Sequence, residues 1–144
     1  MDNVTLLRRI HDPYERGESE DFQPLWDIVA DDVVYESPVG TVHGKQALIA
    51  YFDHVSETIG VWAFERPLEY FESAERVVMR GEERVTSHAT GETIRGEWIW
   101  ILDMPDGAIT RIVHFLHFRE PKILMDGLHA AYARTLGTVA GAGA

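Results

Sequence analysis

The sequence contains no cysteine. That absence removes disulfide frameworks, thiolate nucleophiles and sulfur-ligated metal sites together, and it fits a reducing compartment. Phosphate-binding signatures are missing too. No glycine-rich loop, P-loop or Gly-x-Ser-x-Gly elbow occurs, so nucleotide chemistry and serine hydrolysis have no support and no cofactor is expected. His11, His43, His54, His88 and His129 show no ligand spacing, and no metal site is expected. Nothing approaches the ~20 apolar residues of a membrane span. The opening MDNVTLLRRIHD lacks the apolar stretch of a secretory signal, which makes the cytoplasm the expected location. Basic residues are scarce: Lys and Arg number 13 against 24 Asp and Glu, a formal charge of −11. That sign is wrong for tracking phosphates, so nucleic acid and anionic membrane surfaces are excluded as partners.

What is present is the material of a core. The 144 residues are 45% hydrophobic and 10% aromatic, enough for one domain with a sizeable interior. It is read over residues 1–137, with a flexible Gly/Ala-rich tail at 138–144. Val4, Leu7, His11 and Tyr14 recur at helical spacing over residues 4–16, with Pro13 disturbing the last turn. Asp21 is placed to cap a second helix bearing Phe22, Leu25, Trp26 and Val29, which ends at Asp31-Asp32. Val33 to Glu36 reads as a short strand broken by Ser37-Pro38-Val39-Gly40, and Leu48, Phe52, Val55 and Ile59 mark a third helix. The rhythm then changes to period two. Four strands at 61–72, 75–87, 92–104 and 107–118, joined by short turns, make an antiparallel meander. Glu120-Pro121 opens a closing helix with Leu124, Leu128 and Ala131 on one face, ending at Gly137. Helices followed by a curved antiparallel sheet is an α+β pattern. Of the net charge, −10 falls in residues 1–72 and −1 in residues 73–144, so the acidity belongs to the helical cover.

The segment Ala30-Asp31-Asp32-Val33-Val34-Tyr35-Glu36-Ser37-Pro38-Val39-Gly40, followed by His43-Gly44-Lys45 and a helix with Phe52, resembles ketosteroid isomerase. That enzyme belongs to the nuclear transport factor 2-like superfamily, with SnoaL-like polyketide cyclases and limonene epoxide hydrolase as relatives. The order of elements is similar over residues 4–135. The resemblance implies a cone-shaped barrel in which a strongly curved sheet wraps the N-terminal helices around an apolar pocket, with a closing C-terminal helix. It also implies a homodimer and a hydrophobic small molecule as ligand.

The departures from that pattern redirect the chemistry. The resemblance places Ser37 where ketosteroid isomerase carries its proton-shuttling aspartate, and a neutral hydroxyl cannot take a carbon-bound proton unaided. The oxyanion tyrosine of the first helix falls near Ile10, with Tyr14 one turn on, and the enzyme's neutral aspartic acid falls near Ile99 or Trp100. Many SnoaL-like relatives carry a catalytic aspartate about seven residues after the last hairpin glycine. Counted from Gly107, that position is His114, whose side chain suits proton transfer near neutrality.

Alternation in strand 107–118 puts Ile112, His114, Leu116 and Phe118 on one face and Arg111, Val113, Phe115 and His117 on the other; a one-residue bulge would exchange them. In strand 92–104 Trp98 and Trp100 share a face opposite Arg95, Glu97 and Asp103, while Glu82-Glu83-Arg84 reads as a solvated hairpin face. The expected catalytic set is His114, with Tyr14 or an indole N–H at the substrate oxygen and Ser37 positioning. The expected pocket wall is Trp26, Tyr35, Tyr51, Phe52, Val55, Trp62, Phe64, Trp98, Trp100, Ile112 and Leu116. These same rings are equally suited to filling the interior. The leading expectation is a cofactor-free cyclase or isomerase acting on a hydrophobic carbonyl compound such as a polyketide- or steroid-like molecule. The alternatives are a non-catalytic binding or accessory protein and, third, an epoxide hydrolase using Arg111 with Glu97 or Asp103.

Overall fold

A computed structural model describes residues 1–119 and 121–142. Helix α1 (Asn3–Glu15) starts at Asp2, whose carboxylate accepts the Thr5 N–H, and buries Leu7, Ile10, His11 and Tyr14. It runs through Pro13. The second helix is shorter than its pattern suggests. Helix α2 covers only Gln23–Trp26, and strand β1 (Val29–Ser37) takes over from Val29. The chain can leave the helix there because β-branched Ile28 and Val29 fit a strand, and the Ile28 carbonyl is claimed by the Ile109 N–H.

Strand β2 (Gly40–His43), helix α3 (Lys45–Thr58) and strand β3 (Gly60–Phe64) follow. The expected strand 61–72 is two strands, because β4 (Glu69–Ser73) is separated from β3 by a link containing Pro67, which has no N–H for the ladder. Both pair with β5 (Arg76–Ser87), β4 on its first half and β3 on its second. Strands β6 (Thr93–Asp103) and β7 (Ile109–Phe118), joined by a single 3-10 turn at Pro105–Gly107, complete an antiparallel β5-β6-β7 meander. Helix α4 spans Pro121–Ala142 and continues through Gly137 instead of stopping there. Glu120 and the last two residues of the expected tail lie outside the described residues.

The sheet is seven-stranded in the order β2-β1-β7-β6-β5-β3, with β4 on the free part of β5. It is curved and unclosed, and it is mixed: β1 pairs parallel with β7, a connection across most of the chain that short-range turn signals do not announce. The inner face carries Val77, Met79 and Val85 of β5, Ile94, Trp98 and Leu102 of β6, and Ile112 and Phe118 of β7, all buried. Leu48, Tyr51 and Val55 of α3 and Leu124, Leu128 and Ala131 of α4 pack with them in the core. Full burial of such side chains contributes about 1.5–3 kcal/mol each before entropy is counted. The outer face carries ion pairs. No helix among the described residues is long and apolar enough to cross a membrane.

Candidate active site

Parallel pairing of β1 with β7 sets Tyr35 opposite Ile112, so its phenol reaches the next inward residue along β7, His114. Tyr35 Oη and His114 Nδ1 are 2.6 Å apart, a hydrogen bond across 79 residues of sequence. The His114 ring is surrounded by aromatic faces: Trp100, its cross-strand partner, at 5.7 Å between centroids, Tyr35 at 5.8 Å and Trp98 at 6.1 Å, all near edge-to-face. Phe52 of α3 closes the cage against Tyr35 and Trp100, and Trp26 of α2 packs on Phe52.

The other ring nitrogen of His114, Nε2, is buried and has no partner among the described residues. Burial in this apolar cage pushes the imidazole pKa down to about 3, so the ring is neutral at physiological pH. Tyr35 is 1% exposed and its hydroxyl is held well above the ordinary phenol range by burial. The Ser37 hydroxyl acts on both Tyr35 and Tyr51, opposing the larger effect of burial, which pushes Tyr51 up to about 12. Ser37 is itself tied to the turn: Oγ donates to the Gly40 carbonyl at 3.2 Å and accepts the Val39 N–H at 3.3 Å.

The other residues singled out in the sequence divide. Val55 and Ile112 are buried core, and Leu116 and Phe64 are half-buried on the inner face. Trp62 packs edge-on against Phe118, and its indole N–H is buried without a partner among the described residues. Tyr14 is not brought to His114. Its ring packs on His11 and Phe22, and its hydroxyl donates to the Asp21 carbonyl. Arg111 lies on the outer face in a 2.9 Å bond to Glu36, while Glu97 pairs with Arg80 and Asp103 with Arg76. The interior arginine–carboxylate relay that epoxide hydrolysis would need is therefore not formed.

One polar residue of the inner face belongs to a segment read as solvated charge. Alternation along β5 sets Arg76, Arg80, Glu82 and Arg84 outward with the ion pairs, but it turns Glu83 inward beside Gly81 and Val85. Glu83 Oε1 accepts the Trp98 indole N–H at 2.6 Å. Burial pushes its carboxyl up to about 7, against the lowering effect of that bond. The signal was available in the run Val77, Met79, Gly81, Glu83, Val85, which places the acid in an apolar set.

Two depressions lie elsewhere on the molecule. One, about 310 Å³, is lined by Met1, Asp2, Asn3, Glu72, Glu75, Met104, Asp106 and Gly107. The other, about 210 Å³, lies on the outer face between Arg76, Ile101, Asp103, Arg111 and Val113. His114 lines neither; the rings of Trp26, Phe52 and Trp100, all half-buried, close over it. Among the described residues no group of three His, Asp or Glu converges to hold a metal ion.

The architecture has counterparts among known proteins. A solved NTF2-like protein of unknown function from Burkholderia pseudomallei K96243 superposes with a TM-score of 0.69 at 24% identity, covering 87% of this chain and 97% of its own. A protein described as a SnoaL-like polyketide cyclase, from Jannaschia sp. CCS1, gives 0.69 at 14% identity over 89% of this chain and 92% of its own. TerC, co-crystallised with polyporic acid, gives 0.67 at 23% identity over 80% and 91%. Among curated proteins none matches the sequence. The SnoaL-like domain model matches residues 7–112, most of the chain, and the protein belongs to the SnoaL-like domain family within the NTF2-like fold.

Proposed function

We propose that the protein is an acid–base enzyme of the cyclase or isomerase type, acting on a hydrophobic carbonyl compound inside the aromatic cage, without a cofactor. The observation that carries this reading is His114: one ring nitrogen is fixed by Tyr35 and the other is buried, without a partner among the described residues and enclosed by indole and phenol rings. An unsatisfied buried polar atom costs about 1–3 kcal/mol. A ligand oxygen would remove that cost.

The depressed pKa decides how His114 acts. An imidazole near 3 is a weak base at neutral pH, but it is a good hydrogen-bonding electrophile, because it does not give up its proton to an enolate. With the Tyr35 hydroxyl donating to Nδ1, the ring proton sits on Nε2 and points at the substrate carbonyl. As charge develops on that oxygen, Nε2–H and the surrounding low-dielectric rings stabilise it. Ser37 fixes the turn that ends β1 and so positions Tyr35. Access to Nε2 requires the half-buried rim rings to rotate. The neighbour described as a SnoaL-like polyketide cyclase, and the polyporic acid co-crystallised with TerC, support a flat, oxygenated hydrophobic substrate.

The test is deuterium incorporation next to the carbonyl of 2-tetralone, followed by mass spectrometry. His114→Ala is expected to slow the enzyme-dependent exchange by ~10²–10³, the usual worth of one oxyanion donor. Exchange unaffected by the substitution refutes the assignment. Saturable binding of the ketone with no exchange above buffer favours the alternative, a ligand-binding or accessory protein that keeps the cage without the chemistry.

A further inference from the structure

A neutral imidazole polarises a carbonyl but leaves open which group moves the proton. Glu83 is the only acidic residue that β5, β6 and β7 turn to the inner face. No cation reaches it among the described residues. The arginines of these strands are committed on the outer face, Arg80 to Glu69 and Glu97, Arg84 and Arg95 to Glu65, Arg76 to Asp103 and Arg111 to Glu36. What holds Glu83 among the described residues is a single donor, the Trp98 indole, and Gly81 makes that contact possible. A Cβ at Gly81 would stand 2.5 Å from the Trp98 ring, so the indole lies where residue 81 has no side chain and its N–H reaches the acid. Gly96, directly across from Glu83 in the β5–β6 register, leaves its place to the Phe118 ring. Trp98 also contacts His114, so one indole touches both groups. On β3, Phe64 is the cross-strand partner of Glu83, and Trp62, two residues away on the same face, has an N–H with no partner among the described residues.

We propose, resting on the reading above, that Glu83 is the proton-transferring catalytic residue of this cage, working on the far side of the Trp98 indole from His114. Its carboxylate takes a proton from a carbon conjugated with the polarised carbonyl. The C–H bond breaks, its electron pair moves through the conjugated system to the oxygen facing His114, and an O–H bond forms on Glu83. The acid then returns that proton to a different carbon as the electron pair flows back. The step is redox-neutral and needs no co-reactant. Because the two groups lie on either side of an indole, the substrate class is a polycyclic or extended conjugated ketone.

The surroundings of Glu83 agree with this use. Phe64, Gly81, Gly96, Trp98 and Trp62, which face it from the three strands, carry no charge; burial raises its carboxyl and the indole bond lowers it. A carboxyl pushed up to about 7 is divided between acid and base near neutrality, the condition for efficient transfer both ways.

The test follows exchange into 2-tetralone against pH for the wild type, Glu83→Gln, Glu83→Asp and His114→Ala. The wild-type rate should rise as the carboxylate forms, level off above about pH 7, and fall by ~10²–10⁴ in Glu83→Gln with loss of that rise. Glu83→Asp, which keeps the acid but shortens it, should retain the pH dependence at a reduced rate. His114→Ala should lower the rate while leaving the shape of the profile in place. A Glu83→Gln protein that still exchanges at the wild-type rate, or a wild-type profile flat through pH 7, overturns the role of Glu83 and leaves the carbonyl reading standing. A wild type that binds the ketone without exchanging it overturns both. A circular dichroism spectrum matching wild type guards against loss of fold in each variant.

Discussion

Removing the charge of Glu83 should stabilise the protein at neutral pH while leaving it unchanged in acid. The carboxyl ionises near 4.5 when solvated and near 7 in the fold, so the folded state holds its proton more tightly than the unfolded state. Below pH 4.5 both states are protonated and there is no cost. As pH rises to 7 the unfolded chain sheds its proton first, and stability falls; above 7 the whole cost remains. At about 1.4 kcal/mol per pH unit that interval amounts to about 3 kcal/mol. Partial exposure of the residue trims it to about 2 kcal/mol, or about 6 °C in melting temperature for a chain of this length. Glu83→Gln preserves the shape and an acceptor for the Trp98 N–H, so the charge is the only large change. Urea unfolding of both proteins from pH 4 to 8 measures it. The other carboxylates titrate alike in the two proteins, so the difference between the curves isolates residue 83. A difference that opens between pH 4.5 and 7 supports the reasoning; parallel curves refute it.

Three further outcomes are expected. The ring of His114 is held neutral down to about pH 3, against 6.5 when solvated, so its contribution to stability is present above 6.5 and is lost as pH falls towards 3; His114→Leu should unfold less steeply over that range, read by the same titration. Gly81→Ala forces a methyl group into the Trp98 ring, and overpacking of this kind costs about 1–3 kcal/mol; a shift in tryptophan emission should accompany it, whereas an unperturbed spectrum would deny that the indole lies across residue 81. On the outer face, Phe115 is 53% exposed beside half-buried Ile99, Ile101 and Val113. This apolar strip is proposed to pair two copies of the chain, and sedimentation should show a dimer that Phe115→Glu dissociates.

The parts of the site that were legible in the sequence are those that depend on local periodicity. Alternation in β7 puts His114 in one set with buried Ile112 and Phe118, and Arg111 in the other with Phe115. Alternation in β6 does the same for Trp98 and Trp100 against Glu97 and Asp103. Local rhythm says nothing, however, about which strands become neighbours. The parallel pairing of β1 with β7 is what delivers Tyr35 to His114, and no turn residue between positions 37 and 109 encodes it. Tyr14 fails as a candidate for a related reason: a helical stripe assigns it to the interior, but the chain after Gly17 folds back and the Asp21 carbonyl takes its hydroxyl.

Glu83 marks a different kind of limit. Its neighbours Glu82 and Arg84 make the triplet look like solvated charge, and averaged over the triplet that description holds, since both of them face outward. The strand, unlike an average, separates adjacent residues to opposite faces. Read by alternation alone, Glu83 joins Val77, Met79, Gly81 and Val85, a set in which an acid has no structural reason to be. A carboxyl placed there with no counter-ion among the described residues raises the free energy of the fold at neutral pH, and Gly81 leaves open the place that the Trp98 indole takes beside it. Cost without structural return is the signature of a functional group. The interior is therefore poor in carboxylates but not free of them, and its one inward acid on the central strands restores to the cage the proton-carrying group that Ser37 cannot supply.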